Sequence, residues 1–255
     1  MEPRVYYYED DLLKIKASTS RYRFALKFLK DKSVVDIGCG ARMGPYILAE
    51  YAVKVVGIDH SREAIFYDAK NWPRGNISYM VADALSLPVK SHTFDAVVSL
   101  EVIEHIDAYE TYLGEVSRIL KEAGIFVIST PNRYVASPEG TLSNPGHIRE
   151  FDLGGFKSIL GRYFPSINIY GQFPSQKIQQ IEFYRRENYQ RAAKTPAFFK
   201  RIIPAAWKEA LLKAYLHFSV KFTKDLDDRK INDDDFTFVP ENLEKAKYFL
   251  AVCRK

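Results

Sequence analysis

Between Ser33 and Thr130 short runs of β-branched and apolar residues alternate with longer stretches in which apolar positions recur every three to four residues. The runs are Val34-Val35-Asp36-Ile37, Val53 to Ile58, Ile77 to Ala82, Phe94 to Ser99 and Gly124 to Ser129. They are almost continuously apolar, as strands covered on both faces must be, so the pattern predicts a parallel sheet with helices crossing over it. Ile167 to Tyr170 and Tyr248 to Val252 add two more runs. The expectation is a doubly wound α/β chain with a seven-stranded, mostly parallel sheet.

Helical spacing before the first strand (Leu12, Leu13, Ile15, Tyr22, Phe24, Ala25, Phe28 and Leu29) predicts N-terminal helices in a leader covering 1–32. Ser61 and Asp152 are placed as N-caps of later helices. Pro131 to Gly146, rich in Pro, Ser, Asn and Gly, is too long for an ordinary connection, and such loops tend to carry function. From 174 to 235 the texture changes to aromatic and aliphatic residues at helical period with Lys and Arg between them, a helical insertion before the last strand. The domain reading is a leader (1–32), a core (33–173), an insertion acting as lid or substrate region (174–235) and a final strand completing the core (236–255).

Composition narrows the class without naming an activity. A chain of 255 residues with ordinary apolar and charged fractions buries one good core. It has no run approaching the roughly 20 apolar residues of a membrane span. Its acidic, tyrosine-rich start (Tyr6, Tyr7, Tyr8) lacks the basic and apolar regions of a signal peptide. Two cysteines, Cys39 and Cys253, make no disulfide framework, so a reducing cytoplasm is expected. The net charge of +5 permits an anionic partner without requiring one.

The densest chemistry lies where the first strand ends, in Asp36-Ile37-Gly38-Cys39-Gly40. Glycines there let the backbone bend sharply and let a ligand lie against it, at the strand edge where open α/β sheets bind ligands. The next glycine is Gly44, out of register for the dinucleotide fingerprint G-x-G-x-x-G. Asp59 ends the second strand, where a ribose would be met, and Asp83 ends the third beside the small Ala84. Three acids at successive strand ends suit a cationic, diol-bearing ligand better than a pyrophosphate.

In these motifs the chain resembles the class I S-adenosylmethionine-dependent methyltransferases, of the type 11/12 kind. The resemblance rests on Val34 to Gly40, Val55 to Asp59, Ala82-Asp83-Ala84, Phe94 to Ser99 and Gly124 to Asn132, in the family's order over about residues 30–170. It implies a Rossmann-like fold with Gly38 and Gly40 against the methionine part, Asp59 on the ribose and Asp83 on the adenine amino group. Asp36, Cys39, His60, Ala84, Ser99 and Glu101 are counted with the cofactor's neighbours. A lone histidine such as His60, His92 or His217 is otherwise more often a surface or packing residue. Arg42 stands where many relatives have a third glycine.

A second constellation follows the fourth strand. Glu101, Glu104 and His105, with His147 and Glu150-Phe151 after the long loop, offer oxygen and nitrogen donors for a divalent ion such as Mg, Mn or Zn. If the segment is one helical turn, Glu101 shares a face with Glu104 and His105. The pattern E-x-x-E-H with H-x-x-E-F is similar to one in small-RNA 3′-terminal 2′-O-methyltransferases, and more loosely to ubiquinone-biosynthesis O-methyltransferases. That likeness implies Glu101, Glu104, His105 and His147 as metal ligands. Pro145-Gly146 and Phe151 depart from the RNA enzymes' pattern. Glu-His also occurs widely in the superfamily without metal, and then His147 or His105, with Glu104, is the candidate for acid and base work.

The expected activity is O-methylation of a small-molecule or glycan-precursor hydroxyl. The alternatives are metal-dependent ribose 2′-O-methylation of RNA and cofactor binding without turnover. Arg185, Arg186, Arg191, Lys194, Lys200 and Arg201 would serve a nucleic acid, but such charges more often form the solvated face of an amphipathic helix, and Asp225 to Asp235 would repel a polyanion.

Overall fold

The computed structural model describes residues 12–41, 43–137, 142, 144–193 and 230–255, with backbone alone for 186–193. Tyr6 to Tyr8, Arg42, the centre of the long loop, most of the insertion and His217 lie outside the described residues.

The runs read as strands are strands: β1 Ser33–Ile37, β2 Lys54–Asp59, β3 Ile77–Val81, β4 Phe94–Leu100, β5 Leu120–Pro131, β6 Ser166–Pro174 and β8 Tyr248–Arg254. An eighth, β7 Phe236–Val239, corrects the expected seven; it pairs antiparallel with β6 at the sheet's edge. The order is β3-β2-β1-β4-β5-β8-β6-β7, parallel from β3 to β5 and antiparallel beyond. Strand order reverses between β1 and β4, so the carboxyl ends of β1, β2 and β4 open a crevice for a ligand.

Successive residues of a strand face opposite sides, and two cores form accordingly. Val35, Ile37, Val97, Phe126 and Ile128 pack against α4 (Tyr109–Ile119) and α6 (Leu153–Leu160) through Tyr112, Leu113, Val116 and Phe156. Val34, Ala96, Val98 and Val127 pack against α1 (Leu12–Ala25) and α2 (Gly44–Leu48) through Tyr22, Phe24, Ile47 and Leu48. Each fully buried aliphatic side chain contributes about 1.5–3 kcal/mol, so the central strands anchor the loops at their ends.

The two expected caps are present: Ser61 accepts from Ala64 N–H at the start of α3 (Arg62–Asn71), and Asp152 accepts from Gly155 N–H at the start of α6. Asn132 caps the short α5 (Arg133–Ala136). The described part of the insertion is α7, Gln176–Ala193, whose Ile178 and Ile181 pack with Leu13 of α1 and Phe236 of β7. No helix among the described residues is long and apolar enough to cross a membrane.

Candidate cofactor and acceptor site

The loop after β1 turns through two residues of positive φ, Gly38 at 72° and Gly40 at 57°. A Cβ on Gly38 would lie 2.5 Å from Val102 Cγ2. Gly38 and Cys39 donate their N–H groups to Ile58 O at 2.7 and 3.0 Å, and Gly40 donates to Asp59 Oδ2 at 2.8 Å. Three successive amides are thus turned toward β2 and committed there. A pyrophosphate cradle needs such amides pointing outward, and the following helix offers little in their place, because Pro45 in its first turn has no N–H. The loop favours a ligand held by carboxylates over one held by amides.

Those carboxylates are present. Asp36 is fully buried; burial pushes its pKa well above the usual carboxylate range, the nearby Tyr22 hydroxyl works against this, and the charges of Asp68 and Asp59 add to it. A cation supplied by a ligand, such as the ammonium and sulfonium of S-adenosylmethionine, fits this surplus of negative groups. Asp59, at the end of β2, also accepts from Ser61 N–H at 2.8 Å, so its orientation is fixed from both sides while the carboxylate keeps acceptor capacity for a diol. Asp83 is exposed after β3, with Oδ1 accepting from Leu85 N–H at 2.9 Å, and Ala84 is half-buried beside it.

The other expected neighbours divide. Ser99 is buried and donates to Ile37 O at 2.9 Å, tying β4 to β1 at the crevice floor. Cys39 is buried and burial pushes its thiol up, which makes it packing rather than nucleophile. His60 is 87 % exposed, with Nδ1 3.4 Å from Asp59 Oδ1. The residues not anticipated are Tyr22, which lies against Asp36 and Gly44 from the leader helix, and Val102, the wall facing Gly38.

Beyond β4 the chain does not form the helical turn that would align Glu101 with its neighbours. Glu101 takes φ 61°, and the turn that follows is a 3₁₀ turn, Ile103–His105. Glu101 Oε1 accepts from Ser129 Oγ at 2.7 Å, while Glu101 N–H faces Ser129 O and Oγ at 3.2 and 3.1 Å. Among the described residues the group with metal-ligand spacing is Glu104, His105 and His147, one ligand atom from each lying within 4.8 Å of the others. Glu101 is outside that group.

Each of the three is fixed from behind. His105 Nδ1 lies 2.8 Å from Gly146 O, and a carbonyl only accepts, so Nδ1 carries the proton and a neutral ring has its lone pair on Nε2. His147 Nδ1 lies 2.7 Å from Glu150 Oε1, and the other oxygen of Glu150 accepts from Ser137 Oγ in a short contact. Imidazoles backed by a carbonyl and a carboxylate are the usual arrangement behind a metal ligand. Glu104 Oε2 accepts from Thr130 Oγ1 at 3.3 Å, whereas Oε1 is buried with no hydrogen-bond partner among the described residues. Burial, then the charge of Glu101, hold the Glu104 carboxyl well above its ordinary range. The donor set fits a divalent ion, which would repay that orphaned oxygen. The long loop is clasped to the turn by Ile148 and Arg149, whose N–H groups donate to Glu104 O at 2.8 and 3.3 Å. Sequence spacing brought Glu104, His105, His147 and Glu150 into one list; Ser137 and Thr130 carry no signal of their own.

Comparison with known proteins points to methyltransferases. Residues 35–128 match the family model described as "Methyltransferase domain". A probable S-adenosylmethionine-dependent methyltransferase of Mycolicibacterium smegmatis is 32% identical over 130 residues, covering 51% of this chain and 50% of that protein. A ubiquinone biosynthesis O-methyltransferase of Pelagibacter ubique is 31% identical over 138 residues, covering 52% of this chain and 55% of that one. The chain thus spans about half the length of the curated relatives it matches. A crystal structure from Thermotoga maritima, an S-adenosylmethionine-dependent methyltransferase described as a possible histamine N-methyltransferase, superposes with TM-score 0.61 at 14% identity over 95% of this chain and 92% of that one, a likeness of fold. Over the matched residues 35–128 the chain is thus similar to the methyltransferase domain of S-adenosylmethionine-dependent methyltransferases.

Proposed function

We propose that the chain transfers a methyl group from S-adenosylmethionine to a hydroxyl of a small-molecule or glycan-type acceptor, at a site where Glu104, His105 and His147 hold a divalent ion. The observation that carries this reading is the convergence of those three side chains within 4.8 Å, each histidine oriented through Nδ1. When bound, the ion would lower the pKa of an acceptor hydroxyl and favour a vicinal diol. The cofactor supplies a methyl group on a sulfonium, and displacement there depends mainly on in-line positioning of the nucleophile.

The protein's own groups provide the rest. Gly38 leaves room for the cofactor beside Val102, and Asp59 is poised for the ribose. Glu101, held on Ser129, stands between the cofactor loop and the acceptor cluster. With the ion bound, Glu150 on Nδ1 fixes the His147 tautomer and orients Nε2 toward the ion; without an ion, His147 is the group to take the hydroxyl's proton, and Glu150 would stabilise the imidazolium that results. The 174–235 insertion, whose described helix α7 joins the leader and β7, is proposed as the cover over the acceptor side.

Calorimetric titration of Mn²⁺ and Mg²⁺ into the full chain loaded with S-adenosylhomocysteine tests the ion. Wild type should bind, His147→Ala and Glu104→Gln should lose at least about tenfold in affinity, a loss of one well-made charged contact, and S-adenosylhomocysteine affinity should hold in all three. Equal ion binding in wild type and both variants refutes the ion site. Uptake of labelled methyl from the cofactor by fractionated small molecules then identifies the acceptor class.

A further inference from the structure

The leader helix α1 presents consecutive residues to two different places. Tyr22 turns toward Asp36 and Gly44 on the cofactor side. Arg21 turns the other way and is 3 % exposed, with its guanidinium 4.4 Å from the centre of the Tyr248 ring. Nη1 donates to Gln172 Oε1 at 2.8 Å, and that amide is itself fixed, because Gln172 Nε2 donates to Ala17 O at 3.0 Å and Ser20 Oγ at 2.8 Å. The Nε–H edge, the side by which guanidinium meets a carboxylate or phosphate, has no acceptor among the described residues.

This place belongs to the acceptor end of the crevice. Tyr248 pairs with Pro131 at the carboxyl end of β5 and with Gln172 of β6. One residue before Pro131, Thr130 holds Glu104, and one residue after it Asn132 donates its N–H to Lys247 O at 3.0 Å. The other charges facing this space are Glu101 and Glu104 across it and Lys247, which pairs with Glu182 of α7 at 2.6 Å. Arg21 itself has no carboxylate within ion-pair distance among the described residues; its partners are an amide and a ring. A guanidinium taken out of water is costly unless an anion meets it, and neutral partners repay only part of that cost.

We propose that Arg21 is the anion-binding residue of the acceptor pocket and that the acceptor bears a carboxylate or phosphate close to the hydroxyl that is methylated. This rests on the acceptor site proposed above, and it makes the leader helix a determinant of specificity. Gln172 acts as the positioning residue that holds the fork ready.

The test uses a diol with and without an anionic group. Binding of 3,4-dihydroxyphenylacetate and of its methyl ester to the full chain loaded with S-adenosylhomocysteine is measured by calorimetry, with and without Mn²⁺. Wild type should prefer the acid by about tenfold or more, the effect of one charge-assisted contact. Arg21→Gln should bind acid and ester alike, and so should Arg21→Met, which keeps a side chain on the Tyr248 ring if the glutamine variant does not fold. Affinity for S-adenosylhomocysteine should stay within about twofold in whichever variant folds. A wild type without preference for the acid, or without binding of it, overturns the assignment, as does a preference that survives in a folded variant. A parallel fall in cofactor affinity would place the cofactor's own carboxylate on Arg21 and equally overturn it. Loss of the Mn²⁺ dependence alone would strike the ion site while leaving the Arg21 result standing.

Discussion

Gly38→Ala tests the cofactor loop at its tightest point. The residue sits at φ 72°, where an L side chain costs about 1–2 kcal/mol, and the added Cβ would stand 2.5 Å from Val102 Cγ2. That is about 1 Å inside the usual 3.5–4.0 Å carbon contact, and forced overpacking of this kind typically costs a further 1–3 kcal/mol. The sum is about 2–5 kcal/mol, which for a chain of this size corresponds to a fall in melting temperature of about 4–20 °C. The loop can escape part of the strain only by moving away from Val102, which would disturb the amides on Ile58 and Asp59 and weaken S-adenosylhomocysteine binding. Thermal melts followed by circular dichroism, with calorimetry for the ligand, read both effects. Gly38→Ala combined with Val102→Ala should recover the overpacking share relative to Val102→Ala alone and leave the φ cost. Unchanged melting and unchanged ligand affinity in Gly38→Ala would show that the loop does not need this conformation.

Asp59→Asn should leave the sheet intact while S-adenosylhomocysteine affinity, read by calorimetry, falls by about 10–100-fold, because the substitution weakens both the hold on Gly40 and the charged acceptor proposed for the ribose. For Asp36, whose carboxyl is raised by burial, the folded chain keeps a proton that the unfolded chain releases near pH 4. Its contribution is therefore full below that pH and is lost as pH climbs toward the raised value. Urea melts of the ligand-free protein from pH 5 to 8 should show Asp36→Asn with a flatter pH dependence than wild type, and parallel curves would refute the assignment. Asp95 behaves in the opposite sense: burial works to raise it, but hydrogen bonds from Lys121 and Ser33 bring it to about 2. Its share of stability is present above about pH 4 and is lost as pH falls through 2, so Asp95→Asn should remove part of the acid limb of the same melts.

The strands, the caps at Ser61 and Asp152 and the acids at the strand ends were legible along the chain because each is a local pattern. A doubly buried strand must be apolar throughout, a cap must carry an oxygen, and a sharp strand-to-helix turn must use glycine. The likeness to the methyltransferase family rested on the same short motifs. Strand β7 was not legible: its four residues follow an acidic run and owe their pairing to β6, more than 60 residues earlier. Nor did the sequence show that Glu101 takes a left-handed conformation and turns to Ser129, because the spacing Glu101, Glu104, His105 suits a helical turn that the chain does not make.

The amino-acid order by itself determined the α/β class, the glycine bend and the supply of donors after β4. Tertiary structure decided which donors meet: Glu104 and His105 with His147, and Arg21 with Gln172 and Tyr248 across about 150 residues or more of chain. The physical reason is that local conformation follows from neighbouring side chains, whereas a site joining a leader helix, a loop and the last strands exists only once the sheet has set their separation. Arg21 shows the difference most plainly, reading as one more polar position on a helix until the fold buries it against neutral partners.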